Sequence, residues 1–229
     1  MTTSAAGFSS QQAIIDERAQ FLTRTYNVLF LAILAFTGAE VFLFQTGLAL
    51  AINTVLTQNW LLTLGGFVLL GWLGSGLATR ASSNATAFLG LGIYVVLEAI
   101  IFVPLLMIAN AYAPGAIESA AVTTLVGFAA LTFIAWKSKK DFTFLGTGLR
   151  WAGVVALLLI VASVLFGFQL GIFFSVAMVG LAGASILYST SNIMRNYPSH
   201  MYVAAALSLF SSVALMFYYV LSIFISNRD

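Results

Sequence analysis

The sequence predicts an all-α polytopic membrane protein, a bundle of seven transmembrane helices. Three observations carry that prediction. Of the 229 residues, 61% are hydrophobic and only 7% are charged, against about 25% charged in an ordinary soluble domain. The apolar residues come in long blocks, several exceeding the roughly 20 residues that cross a hydrocarbon core as a helix. Lys and Arg concentrate in alternate short loops between those blocks. A chain so poor in charge cannot cover a water-facing surface, and its length suits one compact bundle.

The elements follow in order. Residues 1–24 are polar and lack the apolar core of a cleavable signal peptide. They form a tail on the cytoplasmic side in which QQAIIDERAQFLTR reads as a short amphipathic helix, with Ile14, Ile15, Phe21 and Leu22 on its apolar face. The membrane domain, 25–229, then places spans near 26–48, 60–79, 86–109, 118–136, 150–168, 170–190 and 201–225. Only GFQLG (Gly167–Gly171) separates the fifth from the sixth, and glycines around Gln169 suit a tight reversal there. With the N-terminus inside, Arg18, Arg24, Arg80, Lys137, Lys139, Lys140, Arg150 and Arg195 all fall on the cytoplasmic side or its edge. Only Arg228 falls outside, so the positive-inside rule sets the N-terminus in and the C-terminus out. The glycines of the second span (65, 66, 71, 74 and 76) and Gly180 and Gly183 of the sixth read as packing positions, because lipid gives helices no hydrophobic reason to associate. Polar positions among apolar ones put the seventh span at the centre.

Several chemistries are excluded. Without cysteine there are no disulfides, thiol catalysis or Cys-based metal sites. A single histidine, His200, in a loop, argues against haem or a multi-histidine centre. No Ser has a His–Asp pair in evident reach and no phosphate-binding glycine loop occurs, so neither an enzyme nor a bound cofactor is expected. The net charge of +2 gives no reason to expect nucleic acid.

The candidate ion or proton site is Glu98, in YVVLEAIIFVP (Tyr94–Pro104), with Glu40 beside it as a weaker candidate. An acidic residue at a helix centre costs about 2.5–3.5 kcal/mol and usually faces the bundle interior or a wet cavity. Pro104 frees a backbone carbonyl near position 100, so Glu98 reads either as a proton- or cation-responsive group at a helix break or as a protonated, hydrogen-bonded structural residue. Glu40, nearer the interface, reads as a carboxylate that snorkels to water. Glu118 reads as a helix-start carboxylate. Ser189, Ser191, Asn192, Ser208, Ser211 and Ser212 could bond between the last two spans or line a narrow polar path.

KKDFTFLG (Lys139–Gly146) between two spans, ILYSTSNIM (Ile186–Met194) and AALSLFSS (Ala205–Ser212) resemble the loop, sixth-span and seventh-span motifs of the Bax-inhibitor-1 family. The TSNI stretch and the SNRD terminus are similar to its bacterial YccA-like branch. The resemblance implies an integral protein of the bacterial inner membrane. For the YccA-like branch it implies a partner or modulator of the membrane AAA protease FtsH, which grips the cytoplasmic N-terminal tail. Other family members are pH-sensitive calcium leak channels gated by an acidic pair, whose positions are occupied here by Ser189 and Ser212. Two serines cannot share a proton as that pair does, which leaves Glu98 as the replacement acid in a leak reading. A third reading is an accessory subunit of a larger membrane complex.

Overall fold

The computed structural model describes residues 3–58, 65, 66, 68, 69, 71, 72, 76, 80, 83–138 and 140–226, with side chains from residue 15 onward. Seven helices are described in order: α1 (Thr3–Gln45), α2 (Leu48–Gln58), α3 (Asn84–Tyr112), α4 (Ala116–Lys137), α5 (Leu145–Phe166), α6 (Gly171–Arg195) and α7 (Tyr202–Ser226). Six of them, all but α2, are long and apolar enough to cross a membrane. The expected second span, 60–79, falls largely outside the described residues, as do Lys139 and the last three residues of the chain.

Three differences from the expected elements have physical reasons. The amphipathic segment and the first span are one continuous helix of 43 residues, because nothing between Gln11 and Phe36 breaks an α-helix. Helix α2, described for 11 residues, begins at Leu48, well before the expected second span, and is entered through Gly47 at φ +76°. Pro104 does not break its helix: α3 runs through it for 29 residues, so the expected helix break beside Glu98 is absent. At the predicted reversal, Gly167 (φ +70°) and Gly171 (φ +66°) bracket the turn between α5 and α6. Both lie in the left-handed region that glycine enters without steric cost.

Helix α7 is the hub, packed against α1, α3, α4 and α6. Its Val203, Ala205, Leu209, Phe210, Met216 and Leu221 are buried. Phe102 of α3 sets the middle of the core, stacked on Phe217 (centroids 5.6 Å apart) and edge-on to Phe36 (5.1 Å) and Tyr218 (5.3 Å). Such aromatic contacts supply dispersion and quadrupole attraction that does not depend on expelling water. Small residues are not uniformly packing positions. A Cβ at Gly183 would meet Leu131 of α4 at 3.3 Å, whereas Gly65, Gly66, Gly76 and Gly180 have nothing within 4 Å. Among the described residues, the close approach expected of such glycines is therefore seen at Gly183 and not at Gly180.

One end of the bundle gathers the charges. Arg18 donates from Nη1 to the Tyr197 carbonyl at 2.7 Å and from Nη2 to the Ile193 carbonyl, and its guanidinium lies over the Phe21 ring. It thereby caps the last turn of α6, where unpaired carbonyls and the helix dipole favour a cation. The loop ahead of α5 is tied to the same turn. Phe142 N–H donates to Ser191 Oγ (3.1 Å), Ser191 Oγ to Asp141 Oδ1 (3.3 Å), and Arg195 Nε lies 3.7 Å from that oxygen.

Candidate functional site

Two cavities lie toward opposite ends of the bundle. The first, about 570 Å³, is bounded by the first half of α3, the start of α5, the second half of α6 and the first half of α7. It carries the hydroxyls of Tyr94, Ser185, Ser189, Ser208, Ser211 and Ser212, with Arg150 at its edge. The second, about 400 Å³, lies where α1 and α3 finish and α4 begins. It is lined by phenylalanines and aliphatic side chains around one carboxylate, Glu40.

The hydroxyl cavity owes its character to spacing. Ser185 and Ser189 are one turn apart on α6, as are Ser208 and Ser212 on α7, so each pair lies on one helix face. The helices run antiparallel, and their serines meet as rungs: Ser185 with Ser212 and Ser189 with Ser208, both at 2.9 Å between hydroxyl oxygens. A third contact in the same register, Ser175 with Ser222, measures 3.3 Å. Ser212 also donates to the Ser208 carbonyl (3.0 Å), and Tyr94 donates to Ser211 Oγ (3.0 Å). Ser189 and Ser212 thus share one cavity, but each bonds a different serine.

The remaining candidates are dispersed. Ser191 is buried yet turned to the Asp141 loop, and Asn192 Oδ1 accepts from Asn196 Nδ2 at 2.8 Å. Neither lines the hydroxyl cavity. Asp141 accepts from Thr143 N–H at 2.9 Å. That bond, with Arg195 and Ser191 nearby, holds its carboxyl below the usual carboxylate range. Glu118 is exposed in the first turn of α4. His200 is exposed in the loop before α7.

The two membrane carboxylates differ from expectation in opposite ways. Glu98 is 7% exposed on the inward face of α3, among Val95, Ala99 and Phe102. It lines neither cavity, but it lies between them along the helix: Tyr94 belongs to the hydroxyl cavity, Leu106 and Asn110 to the apolar one. Glu40 does not snorkel. It is 8% exposed, and both its oxygens are buried without a hydrogen-bond partner among the described residues. Its position on α1 faces a cavity shared with α3 and α7 rather than the outside of the bundle.

Ser185, Tyr94 and Arg150 are cavity residues that the sequence reading did not single out. Ser185 carried a signal, its spacing of one turn from Ser189. The apolar cavity carried none, because its phenylalanines come from two helices, α1 and α7, at opposite ends of the chain.

Over residues 18–229 the chain matches the family described as "Inhibitor of apoptosis-promoting Bax1". It is also 33% identical over 115 residues to Protein LIFEGUARD 4 of Arabidopsis thaliana, an alignment covering 47% of this chain and 45% of that protein. The match therefore spans less than half the length of this curated relative. Taken with six described helices able to cross a membrane and a family match over nearly the whole chain, the chain belongs to the Bax inhibitor-1 family of multi-pass membrane proteins.

Proposed function

We propose that the protein provides a regulated leak pathway for cations through a bacterial inner membrane, with its N-terminus in the cytoplasm. The observation that carries this reading is the placement of Glu98 between two cavities that approach it from opposite ends. At about 1.5 Å of rise per residue, Glu98 lies about 6 Å along α3 from Tyr94 and about 12 Å from Leu106. Phe210 and Ser211, adjacent on α7, line different cavities. The ring of Phe210 therefore forms part of the wall between them, edge-on to Tyr94 at 6.2 Å. An intramembrane carboxylate at such a wall has a ready role as the group that carries a proton or cation across it. The serines at 189 and 212 cannot titrate, so Glu98 supplies the pathway's acidity. Orientation follows from Arg18, Arg195 and the Asp141 loop at one end, on the positive-inside rule.

The test is calcium and proton flux into liposomes holding the purified protein, from mildly acidic to mildly alkaline pH. Flux above that of empty liposomes, abolished by Glu98→Gln, is the expected result. Flux that Glu98→Gln leaves intact removes Glu98 from the pathway, and no flux ends the reading for both ions.

A second reading, partnership with the FtsH protease as slow substrate and modulator, is favoured by one observation. Helix α1 at 43 residues is about 65 Å long, more than twice the roughly 30 Å of a hydrocarbon core. Its first turns therefore stand clear of the bilayer, and Ile15, Asp16 and Glu17 are exposed where side chains are described. The docked part begins at Arg18. Removing residues 1–14 leaves that docking intact and is expected to lengthen the protein's lifetime in cells containing FtsH. An unchanged lifetime, with the same dependence on FtsH, refutes the handle. An accessory-subunit role gains no separate support, since the exposed apolar side chains of α5 are what lipid covers.

A further inference from the structure

We propose that the apolar cavity around Glu40 is a binding site for a lipophilic ammonium ion, a molecule with one amine head and an aromatic or branched apolar body. This goes beyond the leak reading and holds whether or not ions pass.

Four features define the ligand. The cavity, about 400 Å³, is far larger than a bare ion and within the usual range for small-molecule sites. Glu40 is a lining residue with both carboxylate oxygens buried and, among the described residues, unpartnered, and the same holds for Thr124 Oγ1, also in the lining. Buried polar atoms are normally paired; these two residues border one space with their oxygens closed off and unpartnered among the described residues, so a donor entering the space satisfies them once the side chains turn toward it. An ammonium head brings two or three N–H donors and the charge a carboxylate lacks here. Phe36, Phe44, Phe210 and Phe217 surround the same space, and aromatic faces attract a cation through the ring quadrupole.

The alternatives fit less well. A calcium ion takes six to eight oxygen ligands, whereas the polar side chains among the described lining residues are Glu40, Thr37, Thr124 and Asn110. The Thr37 hydroxyl, moreover, already donates to the Ile33 carbonyl at 2.9 Å. A phosphatidylethanolamine headgroup carries the right ammonium, but its phosphodiester would find no Lys, Arg or His among the described lining residues. The observations favour the free amine. Access is lateral: Val41 on α1 and Leu125 on α4 line the cavity and are 48% and 50% exposed, so a ligand already dissolved in the bilayer reaches the site between these two helices.

The experiment is calorimetric titration of the full chain in maltoside micelles with phenylbutylamine, and with phenylbutanol, which replaces the ammonium by a neutral hydroxyl. Expected are saturable binding of the amine, at least tenfold weaker binding of the alcohol, and at least a tenfold loss of amine affinity in Glu40→Gln. Equal affinity for amine and alcohol, or an unchanged affinity in Glu40→Gln, overturns the proposal. Should Glu40→Gln fail to fold, Ala121→Leu fills the cavity from α4 and keeps the carboxylate; it must also weaken amine binding, and unchanged binding overturns the site. Added phosphatidylethanolamine that displaces the amine would assign the site to that lipid instead and overturn the free-amine assignment. Because binding is read directly, its loss is separable from a negative flux result.

Discussion

Gly146, the second residue of α5, offers a prediction whose sign reverses with its neighbour. A Cβ built there would lie 2.7 Å from Tyr188 Cε2, 3.2 Å from Cζ and 3.3 Å from the hydroxyl oxygen. Non-bonded carbons prefer about 3.5–4.0 Å, so the ring must retreat by nearly an ångström. Overpacking of this kind costs about 1–3 kcal/mol. Tyr188 is half-buried at the edge of the hydroxyl cavity and can yield in part, which favours the lower end of that range. Against it stands the helix preference for Ala over Gly, at most about 1 kcal/mol and less in the first turn. Gly146→Ala should therefore destabilise by about 0.5–2 kcal/mol. In a Tyr188→Ala background the clash is gone, and the same change should stabilise by up to about 1 kcal/mol. Chemical unfolding of the four proteins in bicelles gives the cycle. Additive effects, or a Gly146→Ala variant more stable than the parent, would show that the close approach does not constrain the KKDFTFLG loop.

Other outcomes follow from the same geometry. Arg18→Ala should cost about 1.5–3 kcal/mol, the range for hydrogen bonds made by a charged group, and Arg18→Lys should recover only part of it because one ammonium does not reproduce the fork to Ile193 and Tyr197; unfolding measurements with all three proteins decide. Phe102→Ala should cost about 2 kcal/mol, below the roughly 3–5 kcal/mol of aqueous cores, because the unfolded chain in a bilayer keeps the ring out of water and mainly the cavity share remains; a loss within or above that aqueous range would refute this accounting. Asp141 has a depressed carboxyl pKa, so its contribution is present above its unfolded value of 3.8 and lost as pH falls through the lower folded value. The thermal stability of Asp141→Asn should accordingly fall short of the parent's at neutral pH and converge with it in strong acid.

Much of the fold could be read from composition because the bilayer imposes it. Five apolar blocks of the right length became helices α3 to α7, and the polar positions of the last one marked it as the hub. What failed to show in the sequence was tertiary. Whether Pro104 breaks a helix depends on whether neighbours hold the helix together, and α3 is gripped by α1 and α7 along its length. Whether Gly180 or Gly183 touches a neighbour depends on which side of α6 meets α4. Glu40's place toward the end of its apolar segment suggests the interface, while burial is set by the direction in which the side chain points. The serines were visible as a group, and their i, i+4 spacing was present in the sequence, but the pairing of each with a particular partner required the register of two helices.

That register has a mechanical consequence. Rungs repeating once per turn allow hydroxyl to meet hydroxyl in the present alignment and again after α7 slides along α6 by one turn, about 5.4 Å. A slide in one direction would bring Ser189 opposite Ser212, the two positions that now bond to Ser208 and Ser185. With Ser175 then opposite Ser226, it would leave two rungs where there are three. At about 0.6 kcal/mol per interhelical hydrogen bond, the hydroxyls alone discriminate between the alignments by less than a factor of three. The choice of alignment is left to side chains such as Ile186 and Leu209, both fully buried. The polar seam thus behaves as a detent: it sets the step size of any sliding between the two helices while contributing little to which step is occupied.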